Sequence, residues 1–251
     1  MTLRVRNLAT IVNVILPHFD KYPLITQKRA DYLLFKEAIK LIQNKEHSNP
    51  AGLEKVINIK ASLNKGLSDD LKIYFPKSIP VCRPVAENPV IPHGMWIAGF
   101  TTGEGCFLVS IFNSTTKLGL TPRLRFSITQ HSRDEQLLRN IVTYFGCGRY
   151  TKRTSGDAGD FFCTKFSDIV EKILPLPLPF SGGEGWGVVP ATTGGGRNFF
   201  SEYPIMGSKL QDFSDWKKVA ELMSSKGHIT KEGLEFIRKI KAGMNQGRSD
   251  D

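Results

Sequence analysis

The sequence predicts an α+β fold: one αββαββα unit with an antiparallel sheet covered by helices on one side, and a partial copy of the same unit at the N-terminus. Three observations lead there. First, "HFDKYPLITQK" (18 to 28) and "FFSEYPIMGSK" (199 to 209) open two stretches that align at one constant offset. Second, an apolar run, "WIAGFTTGE" (96 to 104), passes directly into strand-like "CFLVSIF" (106 to 112). Third, "RLRFSIT" (123 to 129) alternates with a period of two, so that Leu124, Phe126 and Ile128 share one face of a strand while Arg123, Arg125, Ser127 and Thr129 share the other.

The repeat sets the organisation. Phe19 matches Phe200, Tyr22-Pro23 matches Tyr203-Pro204, Lys28 matches Lys209, Asp31 matches Asp212 and His47 matches His228. Gly52-Leu53-Glu54 matches Gly233-Leu234-Glu235, and "IKASLNKG" matches "IKAGMNQG". Upstream, "IVNVILP" matches "IVEKILP" at a smaller offset, because residues 176–198 have no counterpart in the first copy. That Gly- and Pro-rich stretch shows neither helix nor strand period and is expected to be an inserted, flexible surface loop. Its "GGEGWG" imitates the 103–105 motif without an apolar helix before it, so Glu184 is expected to be a decoy. Residues 1–66 are therefore expected to be a partial first unit (last strand and C-terminal helices), residues 67–92 a proline-bearing linker, and residues 93–251 a complete unit.

Within the complete unit, residues 93–104 read as a helix with Trp96, Ile97 and Phe100 apolar and Ala98, Gly99 and Gly103 small, suited to close packing against another helix. The strands at 106–112 and 123–129 follow, with Phe107, Val109 and Ile111 on one face of the first. "SRDEQLLRNIVTYFG" reads as a helix capped by Ser132, with Glu135 at the capping-box position and Gly146 as the stop. "CGRYTKR" and "DFFCTKF" read as the third and fourth strands, "SDIVEKIL" as a short helix, and two helices close the chain.

Composition narrows the partner. The 251 residues carry a formal charge of +10 and are 40% hydrophobic, enough for a core. Such a balance favours a polyanion, nucleic acid before an anionic membrane surface. Cys82, Cys106, Cys147 and Cys163 form no C-x-x-C pair, which argues against a zinc site and for a reducing compartment. No apolar run approaches the roughly 20 residues that span a bilayer, and no membrane partner is expected. "RVRNLATIVNVILP" has the look of a short leader, but its likeness to the internal "KFSDIVEKILP" makes it structural. The basic, hydroxyl-bearing sheet face is then the expected nucleic-acid surface.

"WIAGFTTGEGCF" resembles the LAGLIDADG motif, with Ile97 to Gly105 at its core positions. The αββαββα order and the tails "YP(L/I)-x-x-x-K" and "H…T-x-E-G-L…IK…MN" resemble the single-chain, intron-encoded homing endonucleases of fungal mitochondria. The resemblance implies a site-specific DNA endonuclease that promotes intron homing by metal-dependent hydrolysis. It also implies a mitochondrial location, a long asymmetric double-stranded target, Mg²⁺ as the divalent metal, and a monomer in the complete form.

By resemblance Glu104 is the catalytic, metal-binding carboxylate, with the flanking glycines giving a sharp turn. Gln130 resembles the residue that orders catalytic water, and Lys209, with Lys28 in the first copy, resembles the basic residue near the scissile phosphate. Each of these three also reads as an ordinary surface residue. The DNA-facing candidates are Ser110, Ser114, Arg123, Arg125, Ser127, Thr129, Arg149, Lys152 and Arg153, the arginines serving as base readers or phosphate clamps. A complete family member carries two motif carboxylates and this sequence carries one. The chain is therefore expected to be N-terminally truncated and to need an upstream half; the alternatives are an RNA-binding maturase acting on intron RNA, and an inactive remnant.

Overall fold

The computed structural model describes residues 4–85, 90–174 and 199–245, and divides into two compact units, Met1–Pro89 and Val90–Asp251. The insert expected at 176–198 lies outside the described residues.

The first unit is helical. A stretch from Leu8 to Lys21 is α-helical at both ends and π-helical at Ile11–Ile15. Helix α1 (Lys28–Gln43) buries Ala30, Leu34 and Ile39; a left-handed Lys45 and a short 3₁₀ turn, Glu46–Ser48, then lead into α2 (Pro50–Ser62). Asn49 caps α2 by accepting the Gly52 N–H at 2.9 Å, and Pro50 sits where a helix has no use for an N–H. Beyond α2, left-handed Asn64 donates its backbone N–H to Asp31 Oδ1 at 3.0 Å. Burial raises the Asp31 carboxyl, but the hydrogen bonds from Arg83 and from the Asn64 N–H hold it well below the usual carboxylate range.

The segment expected as a linker is more ordered than its prolines suggest. It contains a helical turn and a half, Asp69–Tyr74. It is also tied to α2, through Ile79 N–H to Asn58 Oδ1 at 2.9 Å and Ser62 Oγ to the Val81 carbonyl at 2.6 Å. The last strand expected near residues 1–8 is not among the described residues: 4–7 carry no regular structure, and the described part of this unit offers no strand for them to pair with.

The second unit builds the sheet. Helix α3 (Gly94–Glu104) runs into β1 (Gly105–Asn113), which returns as β2 (Leu120–His131). Helix α4 (Glu135–Phe145) ends at Gly146 in the left-handed region, followed by β3 (Arg149–Lys152) and β4 (Ala158–Cys163). The sheet is wholly antiparallel in the order β1-β2-β4-β3. A second π-helical turn, Ile169–Ile173, follows at the position equivalent to Ile11–Ile15. Helices α5 (Lys209–Ser224) and α6 (Lys231–Gly243) repeat α1 and α2, including left-handed Lys226 and Asn245 and the bond from Asn245 N–H to Asp212 Oδ1 at 3.0 Å.

One expectation fails locally. Ser132 does not cap α4: it opens a 3₁₀ turn, Ser132–Asp134, and His131 Nδ1 accepts the Arg133 N–H at 3.2 Å.

The core lies between the sheet and the helices. Phe107, Val109, Leu124, Phe126, Ile128 and Phe161 are fully buried against Leu138 and Ile141 of α4 and Trp216 and Val219 of α5. Phe126 is ringed by Phe107, Phe145, Phe161 and Phe200 at centroid distances of 5.1 to 6.1 Å. Each such ring contributes about 2 to 3 kcal/mol by burial, and the stacked and edge-on contacts add to it. Trp216 Nε1 donates to the Leu108 carbonyl at 3.2 Å, fixing α5 on β1. With the apolar face covered this way, the opposite face of the sheet is left for the polar residues.

Candidate nucleic-acid interface and catalytic carboxylate

Helix α3 is held by its short side chains. Ile97, Ala98 and Thr101 are buried, and a Cβ on Gly94 would overlap the Tyr203 ring. At the other end a Cβ on Gly105 would overlap Thr101. Gly105 itself has φ −75° and ψ 153°, ordinary extended backbone. The glycine is thus required for close approach of the last helical turn to β1, not for an unusual turn as the sequence suggests. On the outer side Met95, Gly99 and Gly103 are exposed, beside a stacked Trp96–Phe100 pair at 4.7 Å.

Glu104 is the last residue of α3 and is exposed. Its carboxylate has no ion pair among the described residues, and the last turn of α3 carries no basic side chain. A carboxylate at the negative end of a helix is unfavourable by itself and becomes favourable when a cation is present. Among the described residues no three His, Cys, Asp or Glu come together to cage a metal ion. A lone carboxylate suits a hard cation that takes one protein carboxylate and completes its shell with water and phosphate oxygens, of the Mg²⁺ or Ca²⁺ kind.

Two other expected site residues gather at this end of the sheet. Gly105 pairs with Ile128 in the register, so Gln130 stands two positions beyond it, beside the foot of α3, on the side of β2 that also carries Ile128. Lys209 opens α5, and its ammonium and the Arg125 guanidinium pull the Cys106 thiol down, though burial wins and leaves it raised. Asn245 closes the corner, donating from Nδ2 to the Phe107 carbonyl at 2.9 Å. Lys28 occupies the equivalent place in the first unit, where its Nζ donates to Asn64 Oδ1 at 2.8 Å.

The polar face separates the nine DNA-facing candidates into groups. Ser110 pairs with Arg123 across β1 and β2. Arg123 lies over the Phe112 ring at 4.8 Å, while Arg125 and Arg149 lie over the Phe162 ring at 4.5 and 4.7 Å. These three arginines form no ion pair among the described residues. Arg153 differs: its Nε and one terminal nitrogen grip both oxygens of Asp160 at 2.8 Å, and that nitrogen also reaches Thr129 Oγ1 at 3.1 Å. The Thr129 hydroxyl donates to Asp160 at 2.5 Å. Arg153 holds Asp160 below the usual carboxylate range against the opposing effect of burial.

Ser127 is on this face but buried between its cross-strand neighbours Cys106 and Phe162. Ser114 lies in the β1–β2 connection, bonded to Thr116 at 2.8 Å. Lys152 lies on the other side of the sheet. It pairs with Gly159 and alternates with Tyr150, which bonds Glu135 of α4, whose carboxyl is lowered chiefly by Arg139 and in small part by Lys152. Sequence reading missed Asp160, Phe162 and Phe112. The alternation of "DFFC" carried the signal, since Asp160 and Phe162 fall opposite Thr129 and Arg149.

The LAGLIDADG endonuclease family model matches residues 1–39 and 97–176. The chain is 39% identical over 227 residues to probable intron-encoded endonuclease 3 of Neurospora crassa, and 36% identical over 251 residues to probable intron-encoded endonuclease 2 of the same organism. The matches cover 90% and 96% of this chain, which spans 38% and 49% of the two relatives. The structure of the LAGLIDADG homing endonuclease I-SmaMI, bound to uncleaved DNA target in the presence of calcium ions, superposes with a TM-score of 0.85 at 41% identity, over 97% of this chain and 75% of that one.

Proposed function

This chain belongs to the LAGLIDADG endonuclease family, and from that premise we propose that it is a site-specific, intron-encoded endonuclease for double-stranded DNA, with Glu104 as the carboxylate that holds a divalent cation. The observation that carries the proposal is an exposed carboxylate at the negative end of a buried-faced helix, with no ion pair among the described residues, beside a sheet face bearing Arg123, Arg125 and Arg149. When bound, Mg²⁺ would neutralise charge on the phosphodiester and acidify a water. The residues do the rest. Lys209 places its ammonium against the scissile phosphate, Lys28 is proposed to do the same on the first unit, and the Gln130 amide orients the attacking water. The arginine face holds the duplex in register.

The sequence supplies one motif carboxylate. Cutting both strands calls for a second, one for each scissile phosphate, and we assign that contribution to a second motif helix outside this chain. By itself the chain should nick one strand slowly. A mitochondrial location is proposed on the likeness of its motif and tails to intron-encoded members of fungal mitochondria.

The test is a supercoiled plasmid carrying a selected binding site, incubated with Mg²⁺. The wild-type chain is expected to give slow accumulation of nicked circles. Glu104→Gln, which keeps the shape and removes the charge, should lose the nicking and keep the DNA binding. Efficient linear product that persists in Glu104→Gln would overturn both the carboxylate assignment and the mechanism.

A further inference from the structure

The proposed DNA surface contains an arrangement that the catalytic reading does not use. Phe162 stands on β4 between two strands, opposite Ser127 of β2 and opposite Arg149 of β3. The guanidinium carbons of Arg125 and Arg149 lie 4.5 and 4.7 Å from its centroid. One ring thus carries two cations of the same sign, neither of them ion-paired among the described residues. Two like charges on one ring repel, so the arrangement is unfavourable until an electronegative group arrives. Asp160, whose charge is felt by Arg125, has its two oxygens engaged by Arg153 and Thr129 and forms no ion pair with either cation over the ring. Arg125 Nε is buried with no hydrogen-bond partner, which leaves its terminal nitrogens as the donors available to a ligand.

A guanidinium resting on an aromatic ring loses rotational freedom and keeps its edge free. An edge fixed in this way suits a planar two-acceptor partner. In a DNA groove that partner is the O6 and N7 edge of guanine. A phosphate also accepts a guanidinium fork but carries no base identity, so base preference and salt slope separate the two partners. Because one carbon lies 4.5 Å and the other 4.7 Å from the same centroid, they are at most about 9 Å apart, under three base-pair steps of about 3.4 Å.

We infer that Phe162 is a specificity-determining positioning residue: it holds Arg125 and Arg149 to read two guanines within three base-pair steps of each other. This rests on the DNA-binding reading above and adds the base identity.

The experiment is selection from a randomised duplex library with the full chain, followed by measurement of affinity against salt. The wild-type chain should recover sites with guanine at two positions that close together. Arg149→Lys keeps the charge and should lose the preference at one of them only, and Arg125→Lys at the other. Phe162→Leu should weaken both preferences together, by about tenfold each, as expected for a bidentate base contact, with the salt slope unchanged. Phe162→Tyr keeps the ring and should restore them.

Preferences that survive in Phe162→Leu would overturn the positioning role. Lysine variants that leave base preference intact, while Arg125→Ala and Arg149→Ala each lower the salt slope, would show phosphate clamps instead. Recovery of duplexes with other bases at these positions overturns the guanine assignment alone. Failure of every variant to recover any duplex overturns the DNA reading, and this assignment with it.

Discussion

Asp160 decides how much of the arginine face is free. Its carboxylate occupies Arg153, which the sequence presents as one of a basic run, and so subtracts one cation from the surface. The Arg153 hydrogen bonds outweigh burial and lower the Asp160 carboxyl in the folded state. A depressed folded value contributes stability that is present above the unfolded carboxyl value of about 3.9 and is lost as pH falls through the folded one. Asp160→Asn should therefore flatten the fall in stability below about pH 4, read by urea unfolding at stepped pH. The same change releases Arg153, and the salt slope of DNA binding should steepen by about one. An unchanged slope would show that Arg153 stays away from phosphate even when unpaired. None of this was visible from composition, because a net charge of +10 does not say which arginines are already spent.

At the scale of elements, α3 separates two kinds of glycine. Gly94→Ala drives a methyl into the Tyr203 ring and should cost about 1 to 3 kcal/mol. Gly99 faces open space, and Gly99→Ala should raise stability by about 0.5 to 1 kcal/mol. Thermal unfolding of the two variants, moving in opposite directions, checks both faces at once. The sequence made this helix legible, since an apolar run ending in Gly-Glu-Gly has few other readings. It also made the helical pairs legible, because the matched Asp31 and Asp212 and the matched Asn64 and Asn245 turn out to form the same bond in each copy. It misled where alternation was overlooked: Arg149, Lys152 and Arg153 read as one basic cluster, yet a period of two puts Lys152 with Tyr150 on the helix side. The start of α4 was illegible for a different reason, since His131 caps a 3₁₀ turn that precedes the helix and α4 itself has no side-chain cap.

For the whole molecule, the distribution of charge gives the clearest expectation. Binding that depends on phosphate neutralisation weakens linearly on a log–log plot against salt. The double change Arg123→Ala and Arg125→Ala should weaken binding and reduce that slope by about one, through Arg123, since Arg125 is assigned to a base edge, measured by fluorescence anisotropy over a salt series. Binding indifferent to both salt and these changes would place the duplex elsewhere. Much of the architecture was readable because duplication provides an internal control: a segment present in both copies is structural. The asymmetric parts lacked that control. The linker is the example, where prolines concealed the bonds that tie it to Asn58 and Ser62.

The bond from Trp216 to the Leu108 carbonyl joins residues 108 positions apart. During synthesis the sheet therefore leaves the ribosome well before the helix that covers it. At about 5 to 20 residues per second, the part of the sheet's apolar side that α5 covers waits for roughly 5 to 20 s. The helical pair α1 and α2, with its contacts close in sequence, has no such delay. The order of translation thus leaves the second unit open for longer than the first, and ties the yield of folded protein to the rate at which residues 109–224 are made.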